Sequence, residues 1–86
     1  MYEVVLSHEA QQIYASAEPA LAKKIARCLE QLQQTPRTHP NIKALKGRLS
    51  GYYRYRLGDY RLVYLLDDET RRVLVMTIAH RKDVYE

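Results

Sequence analysis

A β-hairpin is predicted by residues 45–64, which read LKGRLSGYYRYRLGDYRLVY. Gly58-Asp59 is a two-residue turn signal, and it stands between two runs of aromatic and β-branched residues. If the chain turns there, three cross-strand pairs follow, namely Leu57 with Tyr60, Arg56 with Arg61, and Arg54 with Val63.

The two faces of this hairpin differ in chemistry, because successive residues of a strand point to opposite sides of the sheet. One face carries three arginines with three other residues, in full Tyr52, Arg54, Arg56, Arg61, Val63 and Leu65. The other carries Tyr53, Tyr55, Leu57, Tyr60, Leu62 and Tyr64. We expect the second face to pack in the core and the arginine face to stay open.

The predicted apposition of Arg56 and Arg61 is unfavourable for folding alone, since like charges directly opposite across a strand pair destabilise a sheet. An anionic ligand would offset that repulsion, and the planar guanidinium fork suits phosphate. The alternative interpretation is a solvated basic face whose side chains extend into water.

Positive charge is concentrated around the hairpin. The chain of 86 residues, enough for one domain, has a net charge of +4, but residues 37–61 hold seven basic residues against one acidic residue. A localised basic patch is typical of nucleic-acid binding. The candidate RNA-binding residues outside the arginines are Lys43, Lys46, Arg48 and Tyr52, the last because tyrosine can stack on bases, although it is also a common strand residue.

Several kinds of site are not indicated by this sequence. Cys28 is the single cysteine, which excludes an internal disulfide and suits a reducing cytoplasm, and its helical spacing among apolar residues predicts a place in the core. One cysteine and three scattered histidines lack the spacing of metal ligands, so we expect no metal and no cofactor. No signal peptide or membrane-spanning run is visible, and we expect a cytoplasmic protein.

The order of predicted elements is β-α-α-β-β-β, with one further short strand expected ahead of the hairpin. The first strand is expected at Tyr2–Leu6, and a helical hairpin of His8–Ala17 and Pro19–Thr35 follows it. The remaining strands are expected at Leu45–Leu49, Tyr52–Leu57, Tyr60–Leu66 and Arg72–Ala79. Within the second helix, Leu21, Ile25, Cys28, Leu29 and Leu32 form an apolar stripe. The pattern indicates a single α+β domain, residues 1–86, with the helical hairpin packed on a mostly antiparallel sheet.

The chain closes with HRKDVYE, directly after the last predicted strand. If that strand lies beside the hairpin, His80, Arg81 and Tyr85 can approach Arg61. A histidine can act as a general acid or base, Arg81 only as a cation, and Tyr85 as a donor, a stacking surface or a base. The alternative is a frayed basic tail, because chain ends are often disordered.

The hairpin run, followed after one more strand by AHRKDVY, resembles the RelE/ParE superfamily of bacterial toxins, and in particular its RelE branch. Typical members read L-K-G, then Y-[RK]-x-[RK], then [GD]-x-Y-R-[LV]-[VIL]-Y, and end in H-R-x-x-V-Y. The resemblance spans the chain and its element order, with the specific motifs in the second half.

This resemblance implies a toxin of a type II toxin–antitoxin system that cleaves mRNA in the ribosomal A site. The 2′-hydroxyl attacks the adjacent phosphodiester and leaves a 2′,3′-cyclic phosphate and a 5′-hydroxyl. Carried over by position, Arg54 and Arg56 match the two basic strand residues, and Arg61 matches the arginine that would hold the scissile phosphate. Arg81 matches a second phosphate-stabilising arginine, and Tyr85 the terminal tyrosine that contacts the nucleotide.

The chain departs from some relatives that have lysines at the positions of Arg54 and Arg56. Arginine, with a pKa of about 12.5 or above, is effectively never a base. The proton carriers expected here are therefore His80 or Tyr85, and which is base and which is acid stays open. The resemblance also implies a RelB-like antitoxin partner whose acidic, amphipathic segment would cover the basic face, besides the ribosome and mRNA.

Two other functions remain open at this point. The same scaffold serves ParE-like proteins that inhibit DNA gyrase by binding, although such members commonly lack the full set of cationic and terminal His/Tyr residues. A non-catalytic RNA-binding module would need only the basic patch and stacking tyrosines.

Overall fold

The computed structural model describes residues 1–84. Its elements confirm the α+β class, and their order is the predicted β-α-α-β-β-β with one further short strand after the helices. They are β1 (Glu3–Leu6), α1 (His8–Ser16), α2 (Pro19–Gln34), β2 (Ile42–Ala44), a 3₁₀ turn (Gly47–Leu49), β3 (Tyr52–Leu57), β4 (Tyr60–Asp67) and β5 (Arg72–His80). None of the helices among residues 1–84 is long and apolar enough to cross a membrane.

Local sequence signals set the ends of both helices. The Ser7 side chain accepts a hydrogen bond from the Ala10 N–H at 3.0 Å and so caps α1. Pro19 occupies the first turn of α2, where its missing N–H has no intrahelical partner. The helix ends at Gln34, two residues before Pro36, because the residue that precedes a proline is disfavoured in helical conformation.

The apolar stripe of α2 builds the core against one face of the sheet. Ile25, Cys28 and Leu32 are fully buried, as the 3.6-residue spacing predicts. They pack with the sheet residues Tyr55, Leu57, Leu62, Tyr64, Val73, Val75 and Ile78. Each buried Leu or Ile side chain stabilises the fold by about 1.5–3 kcal/mol. Burial raises the pKa of the Cys28 thiol, which makes it an inert core residue.

The sheet has five strands in the order β1-β5-β4-β3-β2. The outer strand β1 runs parallel to β5, and the other three pairings are antiparallel. The helices pack on one face only, α1 against β5 and β1, and α2 against β3 and β1. The opposite face, which carries the arginines, has no helix of the described chain on it.

The second strand lies earlier than the sequence suggests, and the prediction of a strand at Leu45–Leu49 is wrong. The strand is Ile42–Ala44, and residues 47–49 form the 3₁₀ turn. Gly47 has a φ of 67° and Gly51 a φ of 97°, a left-handed conformation that breaks a strand and that glycine adopts without strain. Within residues 45–49, the Leu45 N–H still donates to β3, to the Tyr52 carbonyl at 2.9 Å.

A β-bulge in β5 changes which side chains face the helices. Val63 pairs with Thr77 and Tyr64 with Val75, so Met76 is an extra residue in β5. The Ser7 hydroxyl donates to the Met76 carbonyl at 2.7 Å, which ties the bulge to the start of α1. Before the bulge Val75 faces the core, and after it Ile78 does.

Candidate nucleic-acid interface

The predicted hairpin and its register are confirmed. Arg56 and Arg61 are direct partners across β3 and β4, and Arg54 pairs with Val63. The two-residue turn at Gly58-Asp59 closes the hairpin, with Gly58 at a φ of 64° that favours glycine. Two guanidinium groups are therefore brought to one end of the open sheet face.

Arg61 is held by the turn next to it. Its Nη1 donates to the Gly58 carbonyl at 2.7 Å and to the Tyr60 carbonyl at 2.9 Å. A guanidinium has five N–H donors, and Nη1 carries two of them. Within residues 1–84 the Nε and Nη2 donors have no acceptor, so Arg61 is oriented by one nitrogen and keeps the others available for a ligand.

Arg54 is anchored at the edge of β3 that lies next to β2. Its Nη1 donates to the Asn41 carbonyl at 2.8 Å, and the same carbonyl accepts the Arg56 N–H at 2.9 Å. Asn41 was not singled out from the sequence. It acts through a backbone oxygen, which every residue type has, so no residue-type signal could have identified it.

The open face carries a fourth cation. Lys43 on β2 is the direct partner of Arg54 on β3 and is exposed. Arg56 is also exposed, and its guanidinium has no hydrogen-bond or ion-pair partner within residues 1–84. We name the set Lys43, Arg54, Arg56 and Arg61 the arginine face. It contains two like-charged cross-strand pairs, which a sheet selected only for stability would avoid.

No carboxylate forms an ion pair with these four cations in the described part of the chain; the Glu9 carboxylate reaches the same face at Thr77, whose hydroxyl donates a hydrogen bond to it. The ion pairs among residues 1–84 are Arg37–Asp68 and Arg72–Glu3, and neither involves the arginine face. Val63, which lies between the arginines, is only 5% exposed. Because water is partly excluded there, an anion on this face would feel the cations with less screening than at a fully exposed surface.

The remaining predicted RNA-binding residues lie next to this face on its β2 side. Lys46 directly precedes the 3₁₀ turn and Arg48 is within it, both exposed. Tyr52 begins β3, on the same side of the strand as Arg54 and Arg56, and is half-buried. These positions extend the positive surface along the sheet edge.

His80, which we expect to approach Arg61, lies on β5 beside the hairpin but does not share a face with Arg61. It pairs with Tyr60, and the two rings meet edge to face with centroids 5.6 Å apart. Tyr60 and Arg61 are successive strand residues and so point to opposite faces. The residue of β5 opposite Arg61 is Ala79. The bulge at Met76 causes this arrangement, because simple alternation from Val75 would have placed His80 on the arginine side.

The Nδ1 of His80 is occupied by a local hydrogen bond. It accepts the Lys82 N–H at 3.2 Å, which requires Nδ1 to carry no proton. The next turn is closed by the Asp83 N–H, which donates to the His80 carbonyl at 2.8 Å. His80 is thus part of the turn that follows β5.

The chain after β5 is folded through residue 84 rather than frayed. The Arg81 N–H donates to the Asp59 carbonyl at 2.8 Å, so the backbone of Arg81 is fixed beside the hairpin turn near Arg61. Arg81 itself is exposed, and Val84 is 5% exposed. Tyr85, the other predicted terminal site residue, lies outside the described residues.

A family model described as "ParE toxin of type II toxin-antitoxin system, parDE" matches residues 4–85. The toxin RelG of Mycobacterium tuberculosis is 42% identical over 43 residues, which are 50% of this chain and 49% of that protein. The toxin RelE of the same organism is 44% identical over 43 residues, 50% of this chain and 44% of that protein. The matches thus cover about half the length of these curated relatives.

Solved structures are similar over nearly the whole chain. The toxin–antitoxin complex RelBE2 of Mycobacterium tuberculosis gives a TM-score of 0.79 at 27% identity, with 93% of this chain and 98% of that chain covered. The archaeal RelE–RelB complex of Pyrococcus horikoshii gives 0.82 at 22% identity, with 96% and 98% covered, and supports the fold. The chain therefore belongs to the ParE toxin family of type II toxin–antitoxin systems, within the RelE/ParE superfamily.

Proposed function

We propose that this toxin is a ribosome-dependent endoribonuclease that cleaves mRNA in the ribosomal A site. The observation that carries the proposal is the arginine face, where four cations lie on one open side of the sheet with no carboxylate paired to them among residues 1–84. An anionic ligand is the simplest reason for a small domain to keep that repulsion.

Both the attacking oxygen and the leaving oxygen of the proposed reaction belong to the RNA. The 2′-oxygen of one nucleotide forms a bond to the adjacent phosphorus, and the bond from phosphorus to the 5′-oxygen breaks. The products are a 2′,3′-cyclic phosphate and a 5′-hydroxyl. Negative charge builds on the phosphorane oxygens in the transition state, and preoriented cations stabilise it there. Arg61, held by Gly58 and Tyr60, and the unengaged fork of Arg56 suit that role.

Proton transfer is assigned to other groups, because guanidinium does not titrate in the relevant range. The ring of His80 packs against Tyr60, and its Nδ1 accepts a hydrogen bond from the Lys82 N–H. These contacts support a positioning role for His80 in the turn after β5. Tyr55 of β3, whose side chain lies on the core side of the sheet, does not act as the base either, because burial raises the pKa of its phenol. Tyr85 stays the proposed proton carrier, with Arg81 as an additional cation.

The proposed protein partner is a RelB-like antitoxin. The similar structure from Mycobacterium tuberculosis is the toxin–antitoxin complex RelBE2, and the one from Pyrococcus horikoshii is a RelE–RelB complex. An acidic, amphipathic antitoxin segment lying over the arginine face would neutralise its charge and exclude RNA from it. Cytoplasmic localisation follows from the same proposal, since the ribosome is there.

Inhibition of DNA gyrase is the second candidate function, and the matching family model favours it because its description names ParE. A non-catalytic RNA-binding module is the third. Two observations favour the nuclease: the curated relatives are named RelG and RelE, and the chain has the arginine face, whereas ParE-like inhibitors commonly lack the full set of cationic residues.

One pair of assays separates these functions. Purified toxin is incubated with mRNA, with and without programmed ribosomes, and cut sites are mapped by primer extension. A second reaction measures gyrase supercoiling. We expect cleavage only on the ribosome and unchanged supercoiling. Inhibited supercoiling without cleavage would support the gyrase function, and ribosome binding without cleavage the non-catalytic one.

A further inference from the structure

A basic cleft lies outside the arginine face, between α2 and the end of β3 that leads into the hairpin turn. Its volume is about 250 Å³. Lys24 and Arg27 of α2 line one side, and Arg56 lines the other. We name it the α2 cleft. Its core-facing residues Tyr55 and Leu57 are nearly fully buried.

The cations of the α2 cleft come close to the hairpin turn. A methyl group added at Gly58 would lie 3.0 Å from the Lys24 Nζ, which shows that this ammonium reaches the turn. None of the described residues that line the cleft is acidic. Among residues 1–84, the ion pairs involve neither Lys24 nor Arg27. Two cations of α2 beside a concave site, with Arg56 at its border, raise the local positive potential.

The α2 cleft is continuous with the arginine face through Arg56. This residue is the partner of Arg61 on the open face and also borders the cleft. The pairing of β2 with β3 ends close by, at Ile42 with Tyr55, and the last hydrogen bond along this edge runs from the Arg56 N–H to the Asn41 carbonyl. A single small anion could not occupy both places, but an extended polyanion crossing the strand edge could.

We propose that the α2 cleft binds a backbone phosphate of the RNA strand whose neighbouring phosphate lies on the arginine face. The guanidinium fork of Arg27 and the point charge of Lys24 match a phosphodiester. The ligand is the backbone rather than a base, since Tyr55 is 7% exposed and offers no ring for stacking. This inference rests on the proposed function only in taking RNA as the ligand of the arginine face.

The test uses the full-length toxin and two small probes, inorganic phosphate and a dinucleotide with one phosphodiester. Amide shifts are followed by NMR in the wild type, in Lys24→Ala/Arg27→Ala and in Lys23→Glu. The last variant is the matched control, because Lys23 is exposed on the same helix, does not line the cleft and changes the net charge by the same two units. Thermal unfolding checks that each variant is folded.

We expect the dinucleotide to shift the Gly58 and Asn41 amides in the wild type and in Lys23→Glu, and not in the double variant. Equal shifts in all three proteins, or shifts elsewhere only, would overturn the proposal. If an acidic peptide displaces the dinucleotide from Gly58 and binds more tightly than a longer RNA, the cleft is a protein-binding site and the proposal fails.

A second measurement compares the salt dependence of binding to a single-stranded RNA. Each phosphate contact contributes about 0.7 to the slope of log K against log salt concentration. The double variant should therefore lose about 0.7 from the slope, and Lys23→Glu should not. An unchanged slope in the double variant would overturn the cleft site while leaving ribosomal cleavage intact, whereas absent cleavage with the expected slope change would contradict only the proposed function.

Discussion

Arg56 and Arg61 face each other as direct partners across β3 and β4, two residues from the end of the hairpin. Such a pair of like charges destabilises a sheet by a few tenths of a kcal/mol to about 1 kcal/mol. Arg61 is also oriented by two backbone carbonyls of the turn, while the Arg56 guanidinium has no partner within residues 1–84. This arrangement supports the proposal that the pair receives a ligand that carries negative charge.

Replacement of Arg61 should mainly affect the chemical step. We expect Arg61→Ala to lower the rate of mRNA cleavage on ribosomes by about 10²–10³-fold, since one preoriented donor to a developing oxyanion contributes about that much. The cleavage rate of Arg61→Lys should lie between those of Arg61→Ala and the wild type, because lysine keeps the positive charge but lacks the planar guanidinium fork. Single-turnover cleavage measures both.

Arg72→Ala is the control for Arg61, since Arg72 is ion-paired with Glu3 at the far end of the sheet. It should cleave at nearly the wild-type rate and inhibit growth as the wild type does. Growth inhibition that survives Arg61→Ala would remove Arg61 from the proposed site.

His80 should act by position rather than by proton transfer. An asparagine oxygen can take the place of Nδ1 as acceptor for the Lys82 N–H, so His80→Asn should retain activity within about threefold. His80→Ala should lose about tenfold, because the turn after β5 loosens. The pH dependence of cleavage should be the same in His80→Asn and in the wild type.

A general acid or base at His80 would give a different result. His80→Asn would then lose about 10²–10⁴-fold, and one limb of the pH–rate profile near neutral pH would disappear. That outcome would mean that the ring of His80 turns to the arginine side when RNA is bound.

Tyr64 links the centre of the core to the loop after α2. Its fully buried hydroxyl donates to the Pro36 carbonyl at 2.6 Å. Tyr64→Phe leaves that carbonyl unpaired and should lower the free energy of unfolding by about 1–3 kcal/mol in urea denaturation. Tyr14→Phe is the control, because the Tyr14 hydroxyl makes no hydrogen bond within residues 1–84. Equal losses in the two variants would contradict this role.

The Asp68 carboxylate should make stability depend on acid pH. Hydrogen bonds from Arg37 and Tyr2 hold the pKa of Asp68 below its ordinary value of 3.8. The folded state therefore binds this proton less readily than the unfolded state, so the stabilisation is present above about pH 3.8 and is lost as the pH falls through the lower folded value.

Denaturant midpoints of the wild type and Asp68→Asn, taken from about pH 6 downward, test this linkage. The two midpoints should differ at the higher pH and converge in acid. Glu30→Gln, an exposed change on α2, serves as the charge-matched control. A wild-type advantage that persists undiminished in acid would show that the carboxylate charge is not the cause.

The hairpin could be read from the sequence because its signals are local. The Gly58-Asp59 turn fixes the register, and the register fixes which face carries the arginines. The apolar stripe of α2 likewise identifies Ile25, Cys28 and Leu32 as core residues, and all three are buried.

What could not be predicted depends on non-local geometry. The β5 bulge reverses the face of His80, and nothing in a run of β-branched residues marks Met76 as the extra residue. The 3₁₀ turn replaces the expected second strand because two glycines take left-handed conformations. The contribution of Asn41 is a backbone oxygen, and the α2 cleft requires knowing that Lys24 approaches the turn at Gly58.

The most direct test of the central claim is the single variant Arg56→Gln, in which stability and activity are measured on the same protein. The Arg56 side chain has no partner to lose within residues 1–84, so removal of its charge should raise the free energy of unfolding by about 0.2–1 kcal/mol. Ribosomal cleavage by the same variant should fall by at least about tenfold. A variant that is less stable and still cleaves at the wild-type rate would show that Arg56 serves the fold and not the phosphate.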